Sequence, residues 1–141
     1  MQHNFTIGEI TFANIVKAGT GARVHKNRKN HGLAIFLGGE RIFNFNNKKL
    51  KVGGNTIVYF PKGSNYTITE NISSDCYAIN FEMPDGAIFE PFSFKTKNVN
   101  SYIEKHYNEG TTNMDKVFES AYDMLEIQKL IDEYIDRVNF S

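Results

Sequence analysis

Short stretches of β-forming residues, separated by glycine, proline and asparagine turns, make up residues 1–97 of the chain. Each stretch is only a few residues long, as in "HGLAIFL", which ends at Gly38-Gly39, and "NTIVYF", which runs into Pro61. Short strands with turn residues between them are typical of a β-sandwich or β-barrel, whereas βαβ units need helices between their strands. The sequence therefore predicts a mostly β fold for this part of the chain.

The pattern changes at about residue 98, because apolar residues then recur with a helical period. Asn98 and Gly110 mark the expected ends of a first helix, and a longer helix is expected from about Asn113 to Asn139. Residues spaced alternately four and three apart form one face of the longer helix: Val117, Ala121, Met124, Gln128, Ile131 and Ile135. This heptad stripe predicts a homodimer interface, and the alternative is a helix that packs only on its own domain. Residues 98–141 are thus expected to form a helical dimerisation segment.

Size and charge restrict the partners of the protein. The chain has 141 residues and a formal net charge of zero, so one compact domain is expected, with no overall attraction to nucleic acid or anionic membranes. The longest apolar runs, "LAIFL" and "TIVYF", are strand-sized and too short to span a bilayer. The single cysteine rules out an internal disulfide, and the first residues, "MQHNFTIGEI", lack the pattern of a signal peptide. The expected location is therefore the cytoplasm.

Motifs of catalysis are missing from the sequence. Cys76 lies in a predicted strand with no histidine nearby in sequence, which favours a buried apolar role over a nucleophilic one. The chain contains neither a G-x-S-x-G motif nor a P-loop. "GTGAR" at residues 19–23 has two glycines but no strand-to-helix context, and we interpret it as a loop. Neither a catalytic residue nor a cofactor is predicted.

Three runs follow one another in the β region. "AIFLGGERIF" is an apolar strand that ends in glycine and leads into a hairpin, "LKVGGNTIVYFPKGSNY" contains a glycine turn and an apolar strand that runs into P-x-G, and "CYAINF" is a further strand. In this order and spacing they resemble the N-terminal sensor domain of AraC-type bacterial transcriptional regulators, over about residues 9–95. The resemblance implies a cupin-like double-stranded β-helix (jelly-roll) barrel that senses a small molecule, followed by α-helices for dimerisation and a helix-turn-helix DNA-binding module. No helix-turn-helix region is found before Ser141, so DNA binding is expected only through a domain absent from this chain.

Metal-binding cupins share two histidines two residues apart, a glutamate, and a last histidine after P-x-G. These positions fall on the following residues here: His25 and Asn27 (or Lys26 and Arg28), Gly32 and Tyr66. At most one imidazole remains, whereas a bound zinc normally takes three or four protein ligands. The expected barrel is therefore metal-free.

Strand alternation suggests the walls of a ligand pocket. If Gly32 points inward, as its matching family position does, Ala34 and Phe36 point inward too. The expected ligand-binding residues are Arg23, His25, Phe36, Tyr66, Ile68, Tyr77 and Ile79. Arg23 lies where sugar-sensing relatives place an arginine against their ligand, and arginine suits carboxylates, phosphates and sugar hydroxyls. The alternatives are that the inward aromatic residues only pack the core and that Arg23, like the basic loop "HKNRKN", is solvated.

Three functions remain open at this point. The one we expect is an effector-sensing and dimerisation domain of a transcriptional regulator, which forms a homodimer and binds a sugar-like or anionic small molecule. The second is a metal-free cupin enzyme, such as an isomerase or epimerase, with Tyr66, His25 and Glu82 as candidate acid–base residues. The third is a dimerisation scaffold whose barrel is filled and binds no ligand.

Overall fold

A computed structural model describes residues 5–16, 21–84, 89–97, 99 and 113–140 of the chain, and in the last range it describes the side chains of residues 123–138. Nine strands lie in the described ranges: β1 (Ile10–Val16), β2 (Gly21–His25), β3 (His31–Phe36), β4 (Glu40–Phe45), β5 (Lys48–Val52), β6 (Thr56–Phe60), β7 (Tyr66–Ile72), β8 (Cys76–Phe81) and β9 (Phe92–Lys95). They are followed by one long helix, α1 (Asn113–Phe140). The mostly β fold and the long C-terminal helix are therefore confirmed, and the helix expected between Asn98 and Gly110 falls outside the described residues except for Val99.

The strands form two antiparallel sheets. The five-stranded sheet has the order β1-β8-β3-β6-β9, and the four-stranded sheet has the order β2-β7-β4-β5. Residues 21–23, which we interpreted as part of a loop, belong to β2, and that interpretation was wrong. The segment becomes a strand because it pairs with β7, with Gly21 opposite Glu70. This pairing partner is distant in the chain and cannot be recognised from the local sequence.

Two hydrophobic cores lie on opposite faces of the five-stranded sheet. The interior core fills the space between the sheets and contains Ala34, Phe36, Phe43, Phe45, Leu50, Val52, Val58, Phe60, Tyr66, Ile68 and Cys76. The helix-side core lies on the other face, where α1 packs, and includes Leu33, Ile35, Ile57, Tyr59, Tyr77, Ile79, Phe81, Met124, Ile127, Ile131 and Ile135. All residues of β3 and β6 are therefore buried, whereas β4 and β7 alternate between buried and more exposed positions. A sheet covered on both faces needs apolar residues on both, which explains the continuous runs "LAIFL" and "TIVYF".

The heptad stripe of α1 packs within its own chain. Met124, Ile131 and Ile135 are buried in the helix-side core. Gln128 accepts a hydrogen bond from the Ile7 amide at 2.8 Å and donates one to the carbonyl of Phe5 at 2.8 Å, so it ties the N-terminal segment to the helix. This arrangement matches the alternative in which the helix packs on its own domain, because Met124, Ile131 and Ile135 are already covered by their own chain. The side chains of residues 117 and 121 lie outside the described part, and the homodimer itself stays a prediction.

Over the described residues, no helix is both long enough and apolar enough to cross a bilayer.

Candidate ligand-binding site

A cavity of about 210 Å³ lies between the two sheets. Its apolar walls include Val16, Ala34, Phe36, Phe43, Phe60, Ile68, Cys76 and Ala78. Its polar lining consists of Arg23, His25, Arg28, Arg41, Tyr66 and Glu70. Mostly apolar walls with a few convergent polar groups are characteristic of small-molecule sites.

Five of the seven residues that the sequence proposed for ligand binding line this cavity: Arg23, His25, Phe36, Tyr66 and Ile68. The side chains of Tyr77 and Ile79 do not, because both belong to the helix-side core on the opposite face of β8. Their assignment to the barrel interior was wrong. The neighbouring residues of β8, Cys76 and Ala78, face the cavity instead, as strand alternation requires.

Arg28 reaches from the loop between β2 and β3 into the interior. Its Nη1 donates to the hydroxyl of Tyr66 at 3.0 Å, and its Nη2 donates to Oδ1 of Asn80 at 2.6 Å. The guanidinium lies 5.2 Å from the ring centroid of Phe60, within the range of cation–π attraction. A Cβ on Gly32 would stand 2.0 Å from Nη2, so the missing side chain at this position makes room for the guanidinium.

Arg28, Gly32 and Tyr66 are three positions onto which the metal-cupin pattern maps, and here they meet around an arginine side chain. Within the described ranges, no group of three or more His, Cys, Asp or Glu side chains is arranged to hold a metal ion. The guanidinium of Arg28 places a positive charge at this point between the two sheets.

Glu70 lies between two other arginines. Arg23 donates from Nη2 to Oε1 of Glu70, and Nε of Arg41 lies 3.6 Å from Oε2. Arg41 and Glu70 are only 2% and 3% exposed. Burial lowers the pKa of Arg41 and the Glu70 carboxylate opposes this shift, which leaves the guanidinium charged at neutral pH because its ordinary pKa is so high.

The guanidinium of Arg41 is held firmly but not fully paired. Its Nη2 donates to the carbonyl of Gly38 at 2.8 Å, and its Cζ lies 3.8 Å from the ring centroid of Phe36. Its Nη1 and Nε are buried without a hydrogen-bond partner, as is Nε of Arg28. Buried donors of this kind are costly unless an acceptor reaches them.

His25 and Tyr66 form a stacked pair at the cavity, with ring centroids 5.0 Å apart and an interplanar angle of 13°. Burial lowers the pKa of His25, and the positive charges of Arg28 and Arg23 lower it further, so this imidazole is neutral at pH 7. Burial raises the pKa of Tyr66, which keeps its hydroxyl protonated. Since that hydroxyl accepts from Arg28, its own hydrogen can be donated to a ligand.

The acid–base set considered for an enzyme is only partly assembled. His25 and Tyr66 line the cavity, whereas Glu82 does not; it accepts a hydrogen bond from Nδ2 of Asn30 at 3.0 Å and lies 3.9 Å from Nζ of Lys62. Cys76 lines the cavity, but burial raises the pKa of its thiol to about 12, so a nucleophilic thiolate is disfavoured.

Sequence reasoning missed Arg28, Arg41 and Glu70. The signal for the last two was present in the sequence. Arg41 lies two residues from Phe43 in β4, and Glu70 lies two residues from Ile68 in β7, so each charged residue shares a face with an apolar one. Period-two alternation therefore places both charges on the buried face of the four-stranded sheet. Arg28 carried no comparable signal, because a charged residue in a loop is ordinarily solvated.

Neither a protein-family model nor a curated protein sequence matches the chain.

Proposed function

We propose that this chain is the effector-sensing and dimerisation domain of an AraC-type transcriptional regulator. In this proposal a sugar-like or anionic small molecule binds in a metal-free, cupin-like barrel. The domain acts as a homodimer in the cytoplasm and controls transcription through a separate DNA-binding domain. The regulator class comes from the resemblance of residues 9–95, and the ligand-binding role comes from the cavity.

The strand order supports the cupin-like jelly-roll part of the proposal. Strands β1, β8, β3 and β6 are neighbours in one sheet, and β2, β7, β4 and β5 are neighbours in the other. The chain thus crosses repeatedly between two antiparallel sheets, as the eight strands of a jelly roll do when two Greek keys fold over one another.

The observation that carries the ligand-binding role is the cavity of about 210 Å³ with charged groups converging on apolar walls. A dimerisation scaffold with a filled barrel needs no such space, and buried arginines without full pairing would only weaken it. The cavity therefore favours a sensor over a scaffold.

A transcription reporter tests this function. Residues 1–141 are fused to a DNA-binding module that represses its reporter only as a dimer, and cells are exposed to a panel of sugars, polyols and organic acids. We expect repression without additions and a change of reporter output with at least one compound. The response should disappear when Ala78→Phe fills the cavity and persist in Thr69→Phe, which adds the same ring at an exposed position of β7.

Two results would contradict the proposal. One is a monomeric fusion that never represses, and the other is a response that survives Ala78→Phe. Turnover of a panel compound by the purified chain would favour the enzyme instead.

A further inference from the structure

The charges that line the cavity are unbalanced. Three guanidinium groups, those of Arg23, Arg28 and Arg41, face a single carboxylate, that of Glu70. Their excess of positive charge acts on the neighbouring imidazole of His25, whose pKa is lowered by burial and then by Arg28 and Arg23. The Arg23 side chain is 44% exposed, whereas Arg28 is half-buried and Arg41 is buried. Positive charge buried in a largely apolar cavity is costly, so the site is suited to an added negative charge.

The guanidinium of Arg41 is the group against which an added negative charge would bind. This side chain is 1% exposed and is fixed by the carbonyl of Gly38 and the ring of Phe36, yet its Nη1 has no acceptor. Arg41 also differs from Arg28, whose two terminal nitrogens are already engaged by Tyr66 and Asn80. Arg41 is thus a pre-positioned donor: Oε2 of Glu70 lies 3.6 Å from its Nε, and Nη1 is left for another acceptor.

We propose that the cavity binds a compact organic monocarboxylate, whose carboxylate accepts a hydrogen bond from Nη1 of Arg41 while its apolar body lies against Phe36, Phe43 and Phe60. The inference rests on the proposed ligand-binding function and narrows it to one ligand class. Among the buried and half-buried groups, Arg28 and Arg41 carry two positive charges against the one negative charge of Glu70, so one added monoanion brings their formal sum to zero. Arg23, whose side chain is 44% exposed, is screened by water.

The dimensions and walls of the cavity favour this ligand class over the others. At about 210 Å³ the cavity is smaller than the roughly 300 Å³ at which sites for drug-sized ligands begin. A neutral sugar brings no charge to offset the arginines, and its hydroxyls would face phenylalanine rings over most of its surface. A phosphate brings more charge and more acceptor oxygens than the unpartnered donors of Arg41 and Arg28 can serve.

Binding of benzoate to the purified chain, measured by isothermal titration calorimetry, tests the proposal. Benzamide is the neutral isostere, and glucose and inorganic phosphate represent the other ligand classes. We expect saturable binding of benzoate that shifts the backbone amide resonances of Ala34 and Ala78, with benzamide at least about tenfold weaker, as for loss of a charged hydrogen bond.

Three variants assign the recognition to the cavity. Arg41→Gln should weaken benzoate binding about tenfold or more, whereas Arg137→Gln, which removes the same charge from the exposed last turn of α1, should leave it unchanged. Glu70→Gln should tighten binding severalfold, because it removes a like charge beside the ligand. This isosteric variant keeps the test decisive if Arg41→Gln does not fold.

Several outcomes would overturn the inference and leave the sensor function intact: binding of benzamide or glucose as tight as that of benzoate, or Arg41-dependent binding of phosphate alone. Absence of saturable benzoate binding, equal effects of Arg41→Gln and Arg137→Gln, or weaker binding in Glu70→Gln would also overturn it. Failure of the sensor function itself is detected separately, by a reporter fusion that responds to no compound.

Discussion

Replacing Gly32 with alanine tests how the interior holds Arg28. The added Cβ would stand 2.0 Å from Nη2, whereas real Cβ contacts essentially never fall below 3.0 Å, so the guanidinium must move by about 1 Å or more. That movement breaks the 2.6 Å hydrogen bond to Asn80 and disturbs the 3.0 Å hydrogen bond to Tyr66. The backbone need not move, because the clashing atom is the far end of a flexible side chain.

The size of the effect follows from two opposing terms. Hydrogen bonds of charged groups contribute about 1.5–3 kcal/mol each, and since Arg28 is only partly buried and regains water, we expect about 1.5–3 kcal/mol for the pair. Alanine also restricts the conformations of the unfolded chain, and this stabilises the folded protein by about 0.4–1 kcal/mol. Gly32→Ala should therefore lower the free energy of unfolding by about 0.5–2.5 kcal/mol, measured by urea denaturation with far-UV circular dichroism.

The same substitution in an Arg28→Ala background separates the causes. Without the guanidinium there is no clash, so only the unfolded-state term remains and Gly32→Ala should be neutral or stabilise by up to about 1 kcal/mol. An equal loss of stability in both backgrounds would refute the steric argument, because it would show that Gly32 is needed for its backbone and not for the space above it.

Further predictions concern α1, a buried histidine and the cysteine. Ile131→Ala should lower the free energy of unfolding by about 2–5 kcal/mol, because the side chain is fully buried. Leu125→Ala, at a position that is 68% exposed, should lower it by less than about 0.5 kcal/mol. If the loss caused by Ile131→Ala grows when the protein is diluted, the Ile131 side chain lies between two chains and the prediction is wrong. Burial lowers the pKa of His31, with Glu82 opposing the shift, so the unfolded chain binds a proton first as the pH falls below about 6.5 and stability declines with it. Urea midpoints at a series of pH values should show this decline, and it should be smaller in His31→Gln; an unchanged slope would contradict the assignment. Since burial raises the pKa of the Cys76 thiol to about 12, iodoacetamide should alkylate the native protein at least about 100-fold more slowly than the urea-unfolded chain, and equal rates would contradict its burial.

Alternation of apolar and polar residues can indicate which face of a strand is buried only where one side of the sheet meets solvent. In β4 and β7 apolar and polar residues alternate, and the prediction that Tyr66 faces the interior is correct. The same alternation could have placed Phe43, Arg41 and Glu70 there, although none of these three was predicted from it. In β8, "CYAINF", both faces are apolar, so alternation could not tell which residues face the other sheet. The assignment of Tyr77 to the interior failed for this reason.

The sequence by itself determined the segmentation into short strands and the long helix α1, because turn residues and apolar periodicity are local properties. It also determined that the positions of the metal-cupin pattern hold at most one imidazole. Tertiary structure alone decided that the heptad stripe of Met124, Ile131 and Ile135 covers the outer face of the five-stranded sheet. It alone brought Arg28 from its loop over Gly32 into the interior. The physical reason is the same in both cases: a periodic pattern shows that a face is buried, but the partner that buries it is chosen by contacts between segments far apart in the chain.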